Sequence, residues 1–174
     1  MVKVIKLNFS KYKRILLIGC PGSGKSTLAK KLGKVTSLPV IHLDTIYWLP
    51  NWERRPMEEF DAILKNKLEE ETWIIDGNYN RTLDLRVSYC DLIIYLDIPR
   101  RVCLSSIIKR RIKYANKSRE DMQKDCKEVI DYSFISYVYK FNKTHRKRYY
   151  EMLSNINKDF IVIKRRKEIN KLFE

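Results

Sequence analysis

The sequence contains few of the residues that interrupt regular structure, with 5 glycines and 5 prolines among 174 residues. Apolar residues make up 44% of the chain, which is enough for a core, so extensive disorder is not expected. No run reaches the roughly 18 to 20 apolar residues that a membrane helix needs. Lysines interrupt the first segment, which therefore lacks the apolar core of a secretory signal. We expect one cytoplasmic domain that covers residues 1–174.

Cysteine is also scarce. The four cysteines, at positions 20, 90, 103 and 126, form no C-x-x-C pair and have no histidine at metal-ligand spacing. Neither a zinc site nor a disulfide framework is predicted. Cys20 has two interpretations: a thiol activated at a helix N-terminus, or a small residue tolerated in a turn.

Acidic residues are under-represented, with 21 Asp and Glu against 36 Lys and Arg, and the net charge is +15. Most of the positive excess lies after Asp97. This pattern indicates a polyanionic ligand, a nucleic acid or only a solvated lysine-rich surface. The segment 140–150 mixes basic and aromatic residues and could contact nucleic acid. The favoured interpretation is a buried stripe beneath a solvated face, formed by Tyr139, Phe141, Tyr149 and Met152.

One stretch carries a specific chemical signal. Residues 19–26 match G-x-x-x-x-G-K-[ST]; an apolar run precedes them, and Leu28 and Leu32 continue at helical spacing. Glycine-rich backbone brings successive N–H groups close to an anion, and the helix N-terminus adds its positive dipole end. Lys25 would reach the β- and γ-phosphates, and the Ser26 hydroxyl would coordinate Mg²⁺. The predicted nucleotide contacts are Gly19, Pro21, Gly22, Ser23, Gly24, Lys25, Ser26 and Thr27.

Apolar runs and helical patterns alternate along the chain. Strands are predicted at 15–19, 40–43, 72–75, 92–96 and 160–163, and helices at 25–36, from 56, 100–114 and 129–153, with a short terminal helix. The runs are continuous rather than alternating, as in strands buried on both faces of a parallel sheet, so the fold class is α/β. The polar stretch 115–127 lacks an apolar period and is predicted to be a mobile loop or lid.

The first four predicted strands end at Gly19, Asp44, Asp76 and Asp97. Ligands of open α/β sheets bind at the carboxyl ends of the strands, so these residues are expected to face one crevice. Asp44 could accept or orient an acceptor proton, or only cap a turn, and Asp76 has the same structural alternative. A turn is the simpler explanation for Asp97.

These features resemble the adenylate-kinase-like group of P-loop kinases, and within it the bacterial proteins described as DNA topology modulation proteins. The closer resemblance is carried by HLDTIYW (42–48), WIIDGNY (73–79), TLDLR (82–86), LDIPR (96–100) and KRRIKY (109–114). The resemblance implies a P-loop NTPase three-layer sandwich with five parallel strands in the order 2-3-1-4-5. It also implies ATP on the phosphate loop, an acceptor region at 44–70 and a lid at 112–127.

The same resemblance implies roles for residues outside the loop. Asp76 matches the Asp-Gly of adenylate kinases, which implies that it holds Mg²⁺ through water. Arg110 and Arg111 fall where lid arginines meet the triphosphate.

The acceptor side departs from adenylate kinases. Their Phe-Pro-Arg after Asp-Gly is here 78–80 (Asn-Tyr-Asn), with an arginine one place later, so Arg81 or Arg86 is the candidate acceptor clamp. The His-Leu-Asp ending at Asp44 looks more like kinases that phosphorylate a hydroxyl. Trp48 lies where an acceptor would enter and could stack on a flat ring, or equally could pack in the core.

Two functions from different classes follow. The first is an ATP- and Mg²⁺-dependent kinase for a small nucleotide- or nucleoside-like acceptor, with Lys25, Asp44, Arg110 and Arg111 as catalytic residues. The alternative is a nucleotide-binding regulator that contacts DNA and has only weak ATPase activity.

Overall fold

Five parallel strands form the central sheet of the computed structural model, which describes residues 8–114, 126 and 131–173. The strands are Arg14–Gly19 (β1), Val40–His42 (β2), Trp73–Asp76 (β3), Leu92–Leu96 (β4) and Asp159–Ile163 (β5). Their order across the sheet is β2-β3-β1-β4-β5, with helices on both faces, as predicted.

Seven helices accompany the strands in the described part of the chain. They are Lys25–Thr36 (α1), Leu43–Tyr47 (α2), Met57–Glu69 (α3), Leu83–Tyr89 (α4), Arg100–Lys113 (α5), Tyr132–Asn155 (α6) and Lys167–Lys171 (α7). Short 3₁₀ turns lie at Phe9–Lys11, Pro50–Trp52 and Asn80–Thr82. Helices α2 and α4 were not expected, because each is too short to show a helical apolar period. Among the described residues, no helix has the length and apolar character needed to span a membrane.

The burial of the strands explains their composition. Every residue of β3 and β4 is buried, and β1 is buried from Ile15 onward, since helices cover both faces of these central strands. Strand β5 lies at the edge of the sheet and its first half is exposed. Because the strands are parallel, the carboxyl ends of β1, β2 and β3 lie at the same edge of the buried sheet.

The second strand is shorter than predicted. It ends at His42, and Leu43 begins α2, where its side chain is fully buried. Leu43 packs against Gly77, where an added Cβ would lie 2.8 Å from the Leu43 Cβ. This contact turns the chain into α2 and places Asp44 in the first helical turn rather than at the strand end.

The predicted lid at 112–127 lies mostly outside the described residues. Its first residues complete α5 and a following turn. Cys126 is buried, and its thiol lies 3.3 Å from the main-chain oxygen of Leu49. The predicted stripe on α6 is present in part: Phe141 and Tyr149 are buried, whereas Tyr139 is half exposed.

Candidate active site

The phosphate loop joins β1 to α1 in the predicted position. Gly22 and Gly24 have φ angles of 78° and 107°, which are unfavourable for residues with a side chain. A Cβ on Gly22 would also lie 2.5 Å from the carbonyl oxygen of Cys103 in α5, which shows that the backbone of the loop packs closely against that helix. Of the predicted nucleotide contacts, Gly19 and Ser23 are buried, while the others line a cleft: Pro21, Gly22, Gly24, Lys25, Ser26 and Thr27.

Lys25 is held by its own loop. Its ammonium donates to the carbonyl oxygens of Gly19, at 2.7 Å, and Cys20, at 3.1 Å. Burial lowers the pKa of Lys25, and the nearby carboxylates of Asp76 and Asp44 oppose this shift. A cation fixed at the loop and facing two carboxylates can neutralise the charge of a bound phosphate.

The residues at this edge of the sheet fit a magnesium ion bound together with phosphate. Ser26 and Asp76 both line the cleft and offer the oxygen ligands that Mg²⁺ prefers. No group of three or more acidic, histidine or cysteine ligands occurs among the described residues. The ion would therefore take its other ligands from phosphate oxygens and water. In the described part of the chain, the Ser23 hydroxyl is buried within the loop without a hydrogen-bond partner.

Asp76 is oriented by a histidine that the sequence did not assign to the site. His42 pairs with Asp76 across β2 and β3, and its Nδ1 lies 2.6 Å from the Asp76 Oδ1. Both side chains are nearly buried, at 12% and 5% exposure. A carboxylate held in this way keeps a fixed direction towards a ligand.

The segment 78–80, which departs from the adenylate-kinase pattern, connects three parts of the site. The Asn78 Oδ1 accepts from the Gly19 N–H at 3.2 Å. The Tyr79 hydroxyl donates to the Asp44 Oδ1 at 2.7 Å, and burial together with this carboxylate raises the pKa of Tyr79. The Asn80 Oδ1 accepts from the hydroxyl of a tyrosine on α6 at 2.8 Å. The segment thus fixes Asp44 relative to the phosphate loop.

The structure does not bring either predicted clamp arginine to the cleft. Arg81 forms two hydrogen bonds with the Asp61 carboxylate, at 2.6 and 2.7 Å, on the outer side of α3. Arg86 is fully buried, and its guanidinium donates to the main-chain oxygens of Gly77 and Tyr79, both at 2.8 Å. Burial lowers the pKa of Arg86 to about 10. Arg86 therefore stabilises the loop after β3, and its predicted role as an acceptor clamp is not supported.

This difference predicts unequal effects of the two arginines on stability. We expect Arg86→Met to lower the free energy of unfolding by about 3 kcal/mol, because buried carbonyl oxygens lose their donors. Arg81→Ala removes only an exposed ion pair and should change it by less than about 1 kcal/mol. Urea denaturation of both variants measures this contrast, and equal losses would contradict the structural role of Arg86.

The cleft has a volume of about 1480 Å³ and extends from the phosphate loop to the aromatic segment after β2. Single-ligand sites usually measure about 300 to 1,000 Å³, so there is room for two substrates. Trp48 lines the cleft and meets Trp52 edge-on at 5.2 Å. Asn51 and Trp52 adopt left-handed backbone, with φ angles of 62° and 64°, which is unusual for tryptophan. Trp48 therefore lies at the predicted acceptor side and not in the core.

Of the two predicted lid arginines, the structure brings one to the cleft. Arg110 lines it, together with Lys109 and Lys113, whereas Arg111 does not. The Nη1 of Arg111 is buried and has no hydrogen-bond partner within the described residues.

Arg166 is a cleft residue that sequence analysis missed. Its Nη2 lies 2.5 Å from both the Gly22 carbonyl oxygen and the Ser106 hydroxyl, so it joins the phosphate loop to α5 from the segment after β5. No motif surrounds it, and it lies in a basic run with Arg165. The contact identifies Arg166 as a residue that positions the loop at the donor end of the cleft.

Replacing Arg166 with alanine should weaken the binding of a nucleoside triphosphate by about 10-fold or more, because a charge-assisted contact to the loop is worth roughly 1.5 to 3 kcal/mol. The matched control is Arg165→Ala, which removes the same charge from the neighbouring position. Titration of both variants with a nucleoside triphosphate measures the two affinities, and a similar loss of affinity in both variants would indicate a general charge effect instead.

Asp97 and Cys20 do not contribute to the cleft. Asp97 is buried and accepts from Arg146 Nε at 3.0 Å and the Tyr150 hydroxyl at 2.8 Å, which ties β4 to α6. Of the four residues that were expected to face one crevice, Asp44 and Asp76 line the cleft, whereas Gly19 and Asp97 are buried and do not. The neighbouring Cys103 thiol and burial raise the pKa of Cys20, which favours the interpretation as a small packed residue.

Comparison with known protein sequences gives two informative relatives. No protein-family profile matches the chain. The uncharacterized protein YqaC of Bacillus subtilis is 36% identical over 110 residues, which cover 60% of this chain and 61% of that protein, just under two thirds of its length. A shikimate kinase of Clostridium botulinum is 26% identical over 151 residues, which cover 76% of this chain and 85% of that enzyme.

Comparison with solved structures concerns the fold. A shikimate kinase from Acinetobacter baumannii, solved in complex with shikimate, superposes with a TM-score of 0.61 at 15% identity over 97% of this chain and 94% of that one. A deoxyadenosine kinase from M. mycoides gives a TM-score of 0.51 at 16% identity, covering 91% of this chain and 93% of that one. The phosphate loop, the strand order and these neighbours together show that the chain has the fold of the P-loop kinases.

Proposed function

We propose that the protein is a phosphotransferase that transfers the γ-phosphoryl group of ATP, with Mg²⁺, to a small nucleotide- or nucleoside-like acceptor. The observation that carries this proposal is that one cleft contains both the phosphate loop with Lys25 and the carboxylate of Asp44, which is held by Tyr79. A loop alone binds a nucleotide, whereas a positioned carboxylate in the same large cleft provides a group that could act on an acceptor.

Each residue has a defined task in this proposal. The loop N–H groups and Lys25 bind the triphosphate and neutralise charge that develops during transfer. Ser26 and Asp76 would hold Mg²⁺, which would neutralise negative charge on the phosphate groups when bound. Asp44 accepts or orients the proton of the acceptor, and Arg110 stabilises the transferring group from α5.

A coupled assay of ADP release tests the proposal. The full chain is screened with ATP and Mg²⁺ against nucleosides, nucleoside monophosphates and other small alcohols. We expect at least one acceptor to raise ADP release above the rate with water alone. If no acceptor does so while ATP still binds, the assignment as a phosphotransferase loses its main support.

The rival proposal of a regulator that contacts DNA is supported only by charge. Lys140 and Lys143 are exposed on α6, in the basic half of the sequence, which also suits a solvated surface. Binding through phosphate neutralisation falls steeply and linearly with the logarithm of salt concentration. Absence of DNA binding at about 150 mM salt would remove this alternative.

A further inference from the structure

The acceptor side of the cleft is rich in rings and poor in positive charge. Its described lining between positions 40 and 82 includes Tyr47, Trp48, Trp52 and Tyr79, and its only cation is Arg54, which is exposed. Cations elsewhere in the lining lie on α1, which begins at the phosphate loop, on α5, which packs against it, or at Arg166. They therefore lie on elements that begin at or contact the phosphate loop.

The two arginines predicted to clamp an acceptor phosphate have other partners. Arg81 is occupied by the Asp61 carboxylate, and the guanidinium of Arg86 is buried against main-chain oxygens. The acceptor side instead presents the carboxylate of Asp44. A dianionic phosphate placed there would be repelled and incompletely paired.

The aromatic side chains are arranged as a connected wall. The Tyr47 ring lies 4.7 Å from Tyr79 and 5.0 Å from Trp48, and Trp48 in turn meets Trp52. Such a wall binds a flat ring by stacking and apolar contact, and it requires no charge on the ligand. The hydroxyl of such a ligand can then lie against Asp44, beside Tyr79.

We propose that the acceptor is an uncharged alcohol that carries a flat ring, a nucleoside in chemical class, and not a nucleoside monophosphate. This inference rests on the proposed phosphoryl transfer. The acceptor hydroxyl oxygen forms a bond to the γ-phosphorus of ATP, and the bond from that phosphorus to the β,γ-bridging oxygen breaks. ADP leaves with the electron pair, and the hydroxyl proton passes to Asp44 and then to solvent.

Paired acceptors provide the test. Each nucleoside is compared with its own 5′-monophosphate at saturating ATP, with kcat/KM as the readout. We expect the best nucleoside to exceed its monophosphate by about 100-fold or more, as for sites that lack a partner for a buried charged group. Higher activity with monophosphates, or activity confined to carboxylic acids, overturns the inference and leaves phosphoryl transfer intact. If no acceptor is used at all, the proposed function itself fails.

A variant of the aromatic wall gives an independent readout. Trp48→Ala should raise the KM for the nucleoside by about 10-fold, since ring stacking contributes roughly 1 to 3 kcal/mol, and the KM for ATP should stay the same. Trp48→Phe keeps a flat ring and should retain most of the affinity. Thermal melting and ATP binding check that both variants fold. An unchanged nucleoside KM in folded Trp48→Ala would overturn the proposed ring contact.

Discussion

Lys25→Ala is expected to lower kcat by about 100- to 1,000-fold, the usual effect of removing one preorganised group that stabilises transition-state charge. The physical reason is specific to this loop. Lys25 is nearly buried, is held by two loop carbonyl oxygens and lies near the carboxylates of Asp44 and Asp76. Its positive charge therefore acts in a poorly solvated place, where an ionic interaction is stronger than in water.

Lys65→Ala is the matched control for this variant. Lys65 is exposed on α3, and its substitution removes one lysine without changing the cleft. Steady-state rates of ADP release, with melting temperatures for both variants, measure the effect. If folded Lys25→Ala kept more than about a tenth of the activity, Lys25 would not be the cation that stabilises the transferring phosphoryl group.

Asp44→Asn is expected to lower kcat for the acceptor by about 100- to 10,000-fold, the range for loss of a positioned general base. Asparagine keeps an oxygen that can accept from the Tyr79 hydroxyl, so the substitution removes the carboxylate charge and leaves the local hydrogen bond possible. The KM for ATP should change little, because the loop that binds the triphosphate begins on another strand. Acceptor-dependent turnover and the water background are measured separately.

Tyr79→Phe distinguishes positioning from proton transfer. It removes the hydroxyl that donates to Asp44 but keeps the carboxylate, so the expected loss in kcat is about 10-fold, as for one hydrogen bond to a charged group. A loss in Tyr79→Phe as large as that in Asp44→Asn would show that Asp44 acts mainly as part of this hydrogen bond.

The central strands and the phosphate loop could be predicted from the sequence because their signals are local. The residues of the loop are contiguous, and α1 occupies the predicted range Lys25–Thr36. Strand β4 likewise occupies Leu92–Leu96, since five successive apolar residues suit a strand buried on both faces. Such patterns can be recognised in the sequence without knowing which distant residues the segment contacts in the folded protein.

The partners of the site side chains could not be predicted, because they come from distant parts of the chain. Arg166 and Gly22 are separated by 144 residues, His42 and Asp76 by 34, and Tyr79 and Asp44 by 35. Strand register could have paired His42 with Asp76, because both end neighbouring strands of the predicted order. No local pattern could have found the other two contacts.

The two clamp arginines illustrate the same limit. Arg81 and Arg86 follow β3 at a spacing that would suit an acceptor clamp. Their roles depend on which acceptor each guanidinium reaches in the folded protein, a carboxylate for Arg81 and main-chain oxygens for Arg86. For Arg86 the nearest acceptors are carbonyl oxygens of its own preceding loop, which the sequence does not reveal.

The most direct test of the central claim is to follow the γ-phosphoryl group of ATP by ³¹P NMR in the presence of the protein, Mg²⁺ and a nucleoside acceptor. Phosphoryl transfer predicts that a phosphate monoester resonance, split by coupling to the protons of the acceptor carbon, grows in step with ADP. It also predicts that Lys25→Ala abolishes this signal. Formation of inorganic phosphate alone, at a rate independent of every acceptor supplied, would contradict it.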